Sequence, residues 1–402
     1  MLQQSKKITK LLLLLFFFFL PISITLSEIF GFLSFLTAIF IMVQHNTPYY
    51  KPSKNIVISL TLLILMLILS VVFSKDTGLS LNYLKRHWKL LIPVGVFLLV
   101  SIDNDFFIKI IKSFLCGIIL SIIAIIISEF FSIEFLDNYD FSYGFLRKNA
   151  AGVMYIYAGI WTAISIMKKD LIKYIVFILT LGLLVLLDIR ESVCGFLTAM
   201  ITYFVLSNKK VIITCCVIIL VIGILFTGKG KYFIRGDNGS ITGNVLDRFG
   251  AWNRCFELWK KNPVFGLGMS VFDKINHDFI WERKGFIKSG PITPHSMYIK
   301  VLIDGGIVGI SLFAGFLFYL LKELHSLFYS IKDNELLRGV WLSLFSSFTG
   351  FLTVGFFNEC FTDAEVFLLV FSFYSAGVAY LNVNYTLQIA DYGLRATDSS
   401  RL

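Results

Sequence analysis

Long apolar runs separated by short polar segments make up most of this chain. About twelve of them approach the length of a membrane span, near residues 11–26, 29–43, 55–74, 88–102, 108–131, 149–167, 171–187, 193–207, 211–227, 298–321, 337–356 and 364–382. A spanning helix needs about 20 apolar residues, and a backbone in lipid must form its own hydrogen bonds, which leaves helices or a closed barrel. The runs lack the alternation of barrel strands. The pattern predicts an all-α polytopic membrane protein with about twelve transmembrane helices.

One long polar interruption divides these runs into two groups. We expect nine helices over 1–227, a loop with an amphipathic helix over 228–296, three helices over 297–385, and a tail over 386–402. Three lysines precede the first apolar run, as in a secretory signal, but no small-x-small cleavage site follows it. The sequence therefore predicts an uncleaved first helix.

Basic residues in the short connecting segments indicate the orientation. They fall in alternate segments, as the positive-inside rule predicts for cytoplasmic loops: Lys6, Lys7, Lys10, Lys51, Lys54, Lys168, Lys169, Lys209, Lys210, Lys322, Lys332 and Arg338. An even number of spans then places both the N-terminus and the C-terminus in the cytoplasm. The segments predicted to lie outside are 75–87, 132–148, 188–192, 228–296 and 357–363.

The loop over 228–296 carries eleven basic and six acidic residues, a net charge of +5. A loop longer than about 60 residues is exempt from the positive-inside rule, so this charge does not contradict the orientation. Together with the formal charge of +10 on the chain, it suits phosphate-bearing substrates and anionic membrane lipids. Nucleic acid is excluded as a partner because the basic residues form no continuous stripe.

Helical periodicity within this loop predicts a helix over Val245–Lys261. At about 100° per residue, five apolar residues share one face of it: Val245, Phe249, Trp252, Phe256 and Trp259. If that face lies on the bilayer or on the helix bundle, Arg248 lies at its buried margin and Arg254 faces water. Pro263 ends the helix, and Gly266-Leu267-Gly268 predicts a turn.

A tight charged turn, residues 188–192, lies between two apolar runs and therefore at the outer membrane interface. Charged groups at that depth are costly and usually have partners. One interpretation is local, with Arg190 paired to Asp188 or Glu191. The other is a pyrophosphate ligand, since the planar guanidinium of Arg190 can bind two phosphate oxygens. Arg248 likewise is either a phosphate ligand or an interfacial anchor.

His295 follows Pro291-Ile292-Thr293-Pro294 and opens the tenth apolar run. That position should fix it at the bilayer surface, and an imidazole can remove a proton from a sugar hydroxyl near neutral pH. A single histidine is, however, more often structural. Lys300 and Asp304, spaced i,i+4, predict an interfacial ion pair rather than a catalytic one.

The six cysteines show no C-x-x-C and no paired histidine spacing typical of a metal site. Cys255 and Cys360 both fall in segments predicted to lie outside. A disulfide between them would need the two residues to be close, and nothing in the sequence brings them together.

These features together resemble the O-antigen ligase and polymerase superfamily. The resemblance rests on Arg190 in a tight outside turn, on Arg248 with Trp252, Pro263, Gly266 and Gly268 after it, and on His295 before Gly-Gly-Ile-Val-Gly. The number of spans and the large loop before the tenth span also match, so the resemblance covers nearly the whole chain. Ser296 departs from the family, which often has Asn after the histidine.

The resemblance implies a membrane glycosyltransferase (GT-C-like) fold in the bacterial inner membrane, with a periplasmic active site. The implied reaction is that of an O-antigen ligase, which moves polysaccharide from undecaprenyl diphosphate to a sugar hydroxyl of lipid A-core, with no metal or other cofactor. His295 would be the general base, and Arg190 and Arg248 would hold the diphosphate. Glu191, Arg254 and the pair Arg147-Lys148 at the outer end of the sixth span are further candidates.

Two alternatives remain open at this stage. The first is the polymerase of the same superfamily, which joins repeat units while they remain lipid-linked. The second is a transporter of lipid-linked sugars, a class that places broken helices near the bilayer midplane and is often built from repeated halves. The sequence shows no such repeat, and its charged residues gather at the outer interface. The pattern favours an enzyme.

Overall fold

The computed structural model describes residues 2–45, 53–87, 100, 102–131, 148–187, 189–207, 241–275, 280–283, 286–289, 294–331, 334–359 and 363–399. The helices of these residues are α1 (Leu2–Phe19), α2 (Ile24–His45), α3 (Lys54–Val72), α4 (Thr77–His87), α5 (Asn104–Phe131), α6 (Lys148–Trp161), α7 (Asp170–Leu186), α8 (Arg190–Leu206), α9 (Ile241–Lys260), α10 (Val271–Ile275), α11 (Met297–Ile331), α12 (Glu335–Phe357) and α13 (Ala364–Ser399). A π-helical turn, Thr162–Ile166, extends α6.

Six helices of the described residues are long and apolar enough to cross a membrane, within Ile24–Gln44, Lys54–Val72, Asn104–Ile127, Met297–Tyr329, Glu335–Phe357 and Ala364–Asn384. Two shorter apolar helices, Ala150–Ile166 and Leu171–Leu186, accompany them. The protein is thus a polytopic membrane protein. The predicted span 211–227 and most of 88–102 lie outside the described residues, so the total of twelve stays a prediction.

A short β-hairpin accompanies the predicted helices. Strand β1 (Ile280–Arg283) pairs antiparallel with β2 (Phe286–Ser289), and Ile280 lies opposite Ser289. The sequence contained the signal for it, because two runs with aromatic and β-branched residues are separated by two residues that end in glycine. The hairpin belongs to the large loop, and the membrane part of the described chain is helical.

The boundary between the first two helices also differs from the prediction. The sequence analysis placed it at Ser27-Glu28, whereas α1 ends at Phe19 and α2 begins at Ile24. Pro21 lies in the gap, and proline disrupts a helix interior because it lacks an amide hydrogen and clashes with the preceding turn. Ser27 is tolerated within α2 because its hydroxyl donates to the Ile24 carbonyl at 2.8 Å.

Close helix packing builds the centre of the bundle. Residues 150–161 of α6 are buried on every side, and the ring of Phe373 in α13 lies 5.1 Å from both Phe17 and Trp161. Where α8 meets α12, a Cβ on Gly350 would approach the Gly195 carbonyl oxygen to 2.9 Å. Small residues of this kind let membrane helices approach backbone to backbone.

The tenth predicted span is broken, which the sequence analysis did not foresee. Gly306, within α11, has φ 64 and ψ −160, so two helical halves meet there. The loop over 263–268 fills the break. The amides of Leu267 and Gly268 donate to the carbonyls of Ile303 and Asp304 at 2.8 and 2.9 Å.

In two further hydrogen bonds, α11 donates and the loop accepts. The amides of Ile307 and Val308 donate to the carbonyls of Pro263 and Val264 at 2.9 and 3.1 Å. The main-chain groups released by the break are therefore satisfied by the loop, which is the condition for irregular backbone near a membrane. The break consequently fixes the loop to α11.

Different contacts hold the helices together at each end of the bundle. We call the end that carries Ser74, Ile189, Met297 and Asn358 the site end. The opposite end is held by an ion pair of Lys10 with Asp103, by Asn55 donating to Glu323 at 3.0 Å, and by Arg338 donating to the Leu206 carbonyl at 3.3 Å. These last three pairs join segments that the basic residues assign to the cytoplasm.

Candidate active site

Glu191 connects the tight turn at the start of α8 to the loop helix α9. The Nη2 of Arg248 lies 2.9 Å from the Oε1 of Glu191, and both side chains are partly buried, with exposures of 29% and 20%. Glu191 also suits the first turn of α8, where a negative charge complements the helix dipole. Arg190 is half-buried beside it as the first residue of α8. The structure therefore brings the predicted Arg190 and Arg248 into one neighbourhood.

The structure gives Glu191 a partner outside the tight turn, and not only the local pairing with Arg190 that the sequence suggested. Glu191 pairs with Arg248, from a helix 57 residues away, and Asp188 lies outside the described residues. Arg147 does too. The first turns of α6 nevertheless reach this neighbourhood, because a Cβ on Gly152 would overlap with the Ser192 side chain at the start of α8.

Helix α9 confirms the predicted helix and corrects one interpretation of its faces. The buried face consists of Ala251, Cys255 and Leu258. Cys255 and Leu258 belong to one apolar cluster with Ile303 of α11 and Leu267 of the 263–268 loop. The aromatic face is not on the bundle, since Phe249 is 56% exposed. The bundle accepts the small side chains because they allow close approach, and this leaves the bulky aromatic rings outside.

Arg248 and Arg254 have different surroundings on α9. The guanidinium of Arg248 lies between the buried and aromatic faces, 5.8 Å from the centre of the Phe357 ring. Arg254 lies about 120° around the helix from it and forms an exposed ion pair with Glu257 at 3.4 Å. Arg248 thus contacts another predicted site residue, Glu191.

His295 is held by its backbone at the site end. It has φ 47, a left-handed conformation uncommon outside glycine, in which histidine is one of the enriched residues. Its amide donates to Oε1 of Glu359 at 3.2 Å, and the next amide but one, that of Met297, donates to the Asn358 carbonyl at 3.0 Å. Glu359 was not predicted as a site residue, although an acidic residue three positions after the eleventh apolar run was a usable signal.

Trp252 links α9 to the same loop. Its indole nitrogen donates to the carbonyl of Pro294, the residue before His295, at 2.7 Å. Arg248 lies one helical turn before Trp252, so this hydrogen bond places Arg248 and His295 on adjacent surfaces. Ser296, where the family often has Asn, is buried. The backbone around His295 is held by hydrogen bonds to Glu359, Asn358 and Trp252.

The charges around His295 favour a neutral imidazole. Desolvation lowers the pKa of His295 below its usual value, the positive charge of Arg248 lowers it further, and Glu191 opposes the shift. The side chain keeps part of its surface exposed, so it is accessible although densely surrounded. A histidine with a pKa below about 6.5 is mostly unprotonated at pH 7 and can accept a proton.

The Lys300 and Asp304 pair differs from the predicted interfacial pair. The nitrogen of Lys300 lies 3.6 Å from Oδ1 of Asp304, but the two side chains are only 3% and 10% exposed. Lys300 makes a shorter contact, 2.7 Å, with Oδ1 of Asp273 in α10. The pair is thus part of a buried group of charges behind the site.

Two predictions about cysteines and metals can be compared with the described residues. Cys255 is a buried free thiol, and burial raises its pKa to about 12; Cys360 lies outside the described residues. In the part of the chain that the structure describes, no group of three or more His, Cys, Asp or Glu side chains is arranged to hold a metal ion.

Comparison with known protein families gives a match over the middle of the chain. Residues 175–314 match the Wzy_C family model, described as O-antigen ligase. The matched segment runs from α7 into α11, so it includes Arg190, Glu191, Arg248 and His295. Comparison with curated proteins gives no match. This match agrees with the resemblance seen in the sequence: residues 175–314 are similar to the O-antigen ligase family, which is consistent with the O-antigen ligase and polymerase superfamily.

Proposed function

We propose that this protein is an O-antigen ligase, a glycosyltransferase that moves polysaccharide from undecaprenyl diphosphate to a sugar hydroxyl of lipid A-core. The observation that carries the proposal is the meeting of His295, Arg248 and Glu191 at one end of the bundle, within the matched domain. A proton acceptor and two arginines suit the transfer of a sugar from a diphosphate. The orientation predicted from the basic residues supports a periplasmic location for this site.

In the proposed reaction, the acceptor hydroxyl attacks the anomeric carbon of the donor sugar. The imidazole of His295 takes the hydroxyl proton, the new glycosidic bond forms, and the bond from the anomeric carbon to the phosphate oxygen breaks. Undecaprenyl diphosphate leaves with the electron pair. A single displacement inverts the anomeric configuration. The lowered pKa of His295 supports its role, because the base must be neutral before the attack.

Arg190 and Arg248 act on the leaving group. Negative charge grows on the diphosphate as it departs, and preorganised cations near it lower the barrier. Guanidinium suits this task because it stays charged when partly desolvated and can contact two oxygens. The carboxylate of Glu191 orients Arg248 from one side, which leaves the plane of the guanidinium fixed before the substrate binds.

The decisive experiment is an assay of purified His295→Ala with lipid-linked polymer and isolated lipid A-core. The variant should lose transfer while it still folds. His325→Ala is the matched control, since His325 is exposed near the opposite end of α11, where its ring makes an edge-to-face contact with Tyr329. Full transfer by His295→Ala would exclude the proposed base.

The polymerase of the same superfamily is the second candidate, because the matched family model does not separate the two activities. A lipopolysaccharide gel of a deletion strain distinguishes them. Loss of a ligase leaves bare core and lipid-linked polymer, whereas loss of a polymerase leaves core carrying one repeat unit.

A transporter is disfavoured by the way in which α11 is broken. Transporters use the free backbone groups of broken helices to bind ions and substrates. Here the carbonyls of Ile303 and Asp304 and the amides of Ile307 and Val308 are bonded to the 263–268 loop. Movement of labelled lipid-linked sugar across vesicles, without transfer to an acceptor, would restore this alternative.

A further inference from the structure

We propose that Lys300 is a positioning residue for His295, acting through the carboxylate of Glu359. This inference rests on the proposed function, since it concerns the residue that would remove the acceptor proton. Lys300 lies one and a half helical turns after His295, on the first half of α11. It does not belong to the group of residues that would contact the substrate.

Lys300 is an unusual residue because it is buried among carboxylates. Its side chain is 3% exposed. Its nitrogen contacts Asp273 at 2.7 Å and Asp304 at 3.6 Å, and it lies 5.1 Å from the centre of the Phe272 ring. Removing a charged side chain from water is costly unless partners compensate it. A buried lysine with so many partners indicates that its charge has a use at this position.

Glu359 connects this group of charges to His295. Burial raises the pKa of the Glu359 carboxyl, whereas the charge of Lys300 and the His295 amide lower it. The hydrogen bond from the His295 amide to Oε1 of Glu359 is stronger when the acceptor is ionised. Lys300 thus favours the ionised form of Glu359, the form that holds the His295 amide more strongly.

The surrounding charges make Lys300 necessary for this effect. Asp273, Asp304 and Glu359 all act on Lys300. Desolvation raises the pKa of the nearby Tyr83 phenol, and the same three carboxylates raise it further together with Asp363. Two carboxylates therefore contact one ammonium group, and a third acts on it electrostatically. Without Lys300, their mutual repulsion in a buried site favours protonation, and a protonated Glu359 accepts the His295 amide only weakly.

A double-mutant cycle tests the coupling in purified full-length protein. We expect Lys300→Met and Glu359→Gln each to lower kcat about tenfold, with KM for the lipid-linked donor changed less than about twofold. Because both remove the same ionised acceptor, the double variant should also lose about tenfold, and a hundredfold loss would show independent effects. Lys300→Arg should retain most of the activity. Lys274→Met, on the exposed lysine that pairs with Asp76 at 3.3 Å, is the matched control.

Hydrogen exchange supplies a readout that does not depend on activity. The His295 amide should exchange about tenfold faster in Lys300→Met and in Glu359→Gln, and at the wild-type rate in Lys274→Met. Unchanged exchange and unchanged kcat in folded Glu359→Gln would overturn the inference, even if Lys300→Met fails to fold. Failure of the proposed function appears separately, as an inactive wild type or an active His295→Ala protein in which the exchange effect persists.

Discussion

The Nη2 of Arg248 lies 2.9 Å from the Oε1 of Glu191, and both charges act on His295 in opposite directions. The pair therefore does two things at once. It joins α9 to the first turn of α8, and it sets the charge around the proposed base. A diphosphate bound to Arg248 would offset the positive charge that lowers the pKa of His295. The histidine would then become a stronger base when the substrate is present.

We expect the transfer rate of the wild-type protein to rise with pH and then level off. The rising limb reports the loss of the proton from His295, whose pKa is lowered by desolvation and by Arg248. Its midpoint in kcat/KM should therefore lie below about 6.5, the usual value for histidine. The measurement is kcat/KM against pH in buffers of constant ionic strength. A midpoint well above that value would contradict a neutral resting imidazole.

Charge removal at the Arg248 and Glu191 pair should move this limb in opposite directions. Glu191 raises the pKa of His295, so Glu191→Gln should shift the limb to lower pH. Arg248 lowers that pKa, so Arg248→Gln should shift the limb to higher pH. The residual activity of each variant across the pH range is the measurement. Shifts in the same direction would disprove the electrostatic relationship.

Arg248→Ala should lower kcat/KM by about 10² to 10³, the range for loss of one group that stabilises developing charge. Lys260→Ala is the matched control, because Lys260 is an exposed cation at the end of the same helix. Its kcat/KM should remain within about twofold of the wild-type value. Equal losses in both variants would mean that the basic surface acts as a whole and that Arg248 has no special role.

Gly306→Ala should destabilise the protein. Gly306 has positive φ, and a Cβ there would overlap with the Val264 carbonyl oxygen, so the docked loop would have to move. The backbone conformation of Gly306 is one populated almost only by glycine, and it alone costs alanine about 1 to 3 kcal/mol. Gly305→Ala is the control, because its Cβ would meet no atom within 4 Å. In thermal unfolding in detergent, Gly306→Ala should melt several degrees below Gly305→Ala. Equal melting temperatures would contradict the docked loop.

Trp252→Phe should lower kcat several-fold, because the 2.7 Å hydrogen bond to the Pro294 carbonyl holds the loop that carries His295. Loss of such a bond costs about 1 kcal/mol. Trp259→Phe loses a comparable bond, to the Pro263 carbonyl at 3.1 Å, at a point farther from His295 along the chain. Its kcat should stay near that of the wild type. A kcat loss in Trp259→Phe alone would contradict the role of Trp252 in holding the loop that carries His295.

The sequence by itself determined the membrane class, the helix within the large loop and three candidate residues in the matched domain. Apolar length and helical period are local properties, and they are readable because lipid requires every span to satisfy its own backbone. The phase of α9 also separated Arg248 from Arg254 before any contact was known. It could not say which face packs on the bundle, since that depends on the shape of a distant surface.

Only the tertiary structure identified Glu191 as the partner of Arg248 and Glu359 as the residue that holds the His295 amide. These contacts join residues 57 and 64 positions apart, and no local pattern encodes such a pairing. The break at Gly306 was hidden for the same reason. A glycine in an apolar run is compatible with a continuous helix until another segment supplies hydrogen bonds to the separated ends, and here that segment is the loop over 263–268.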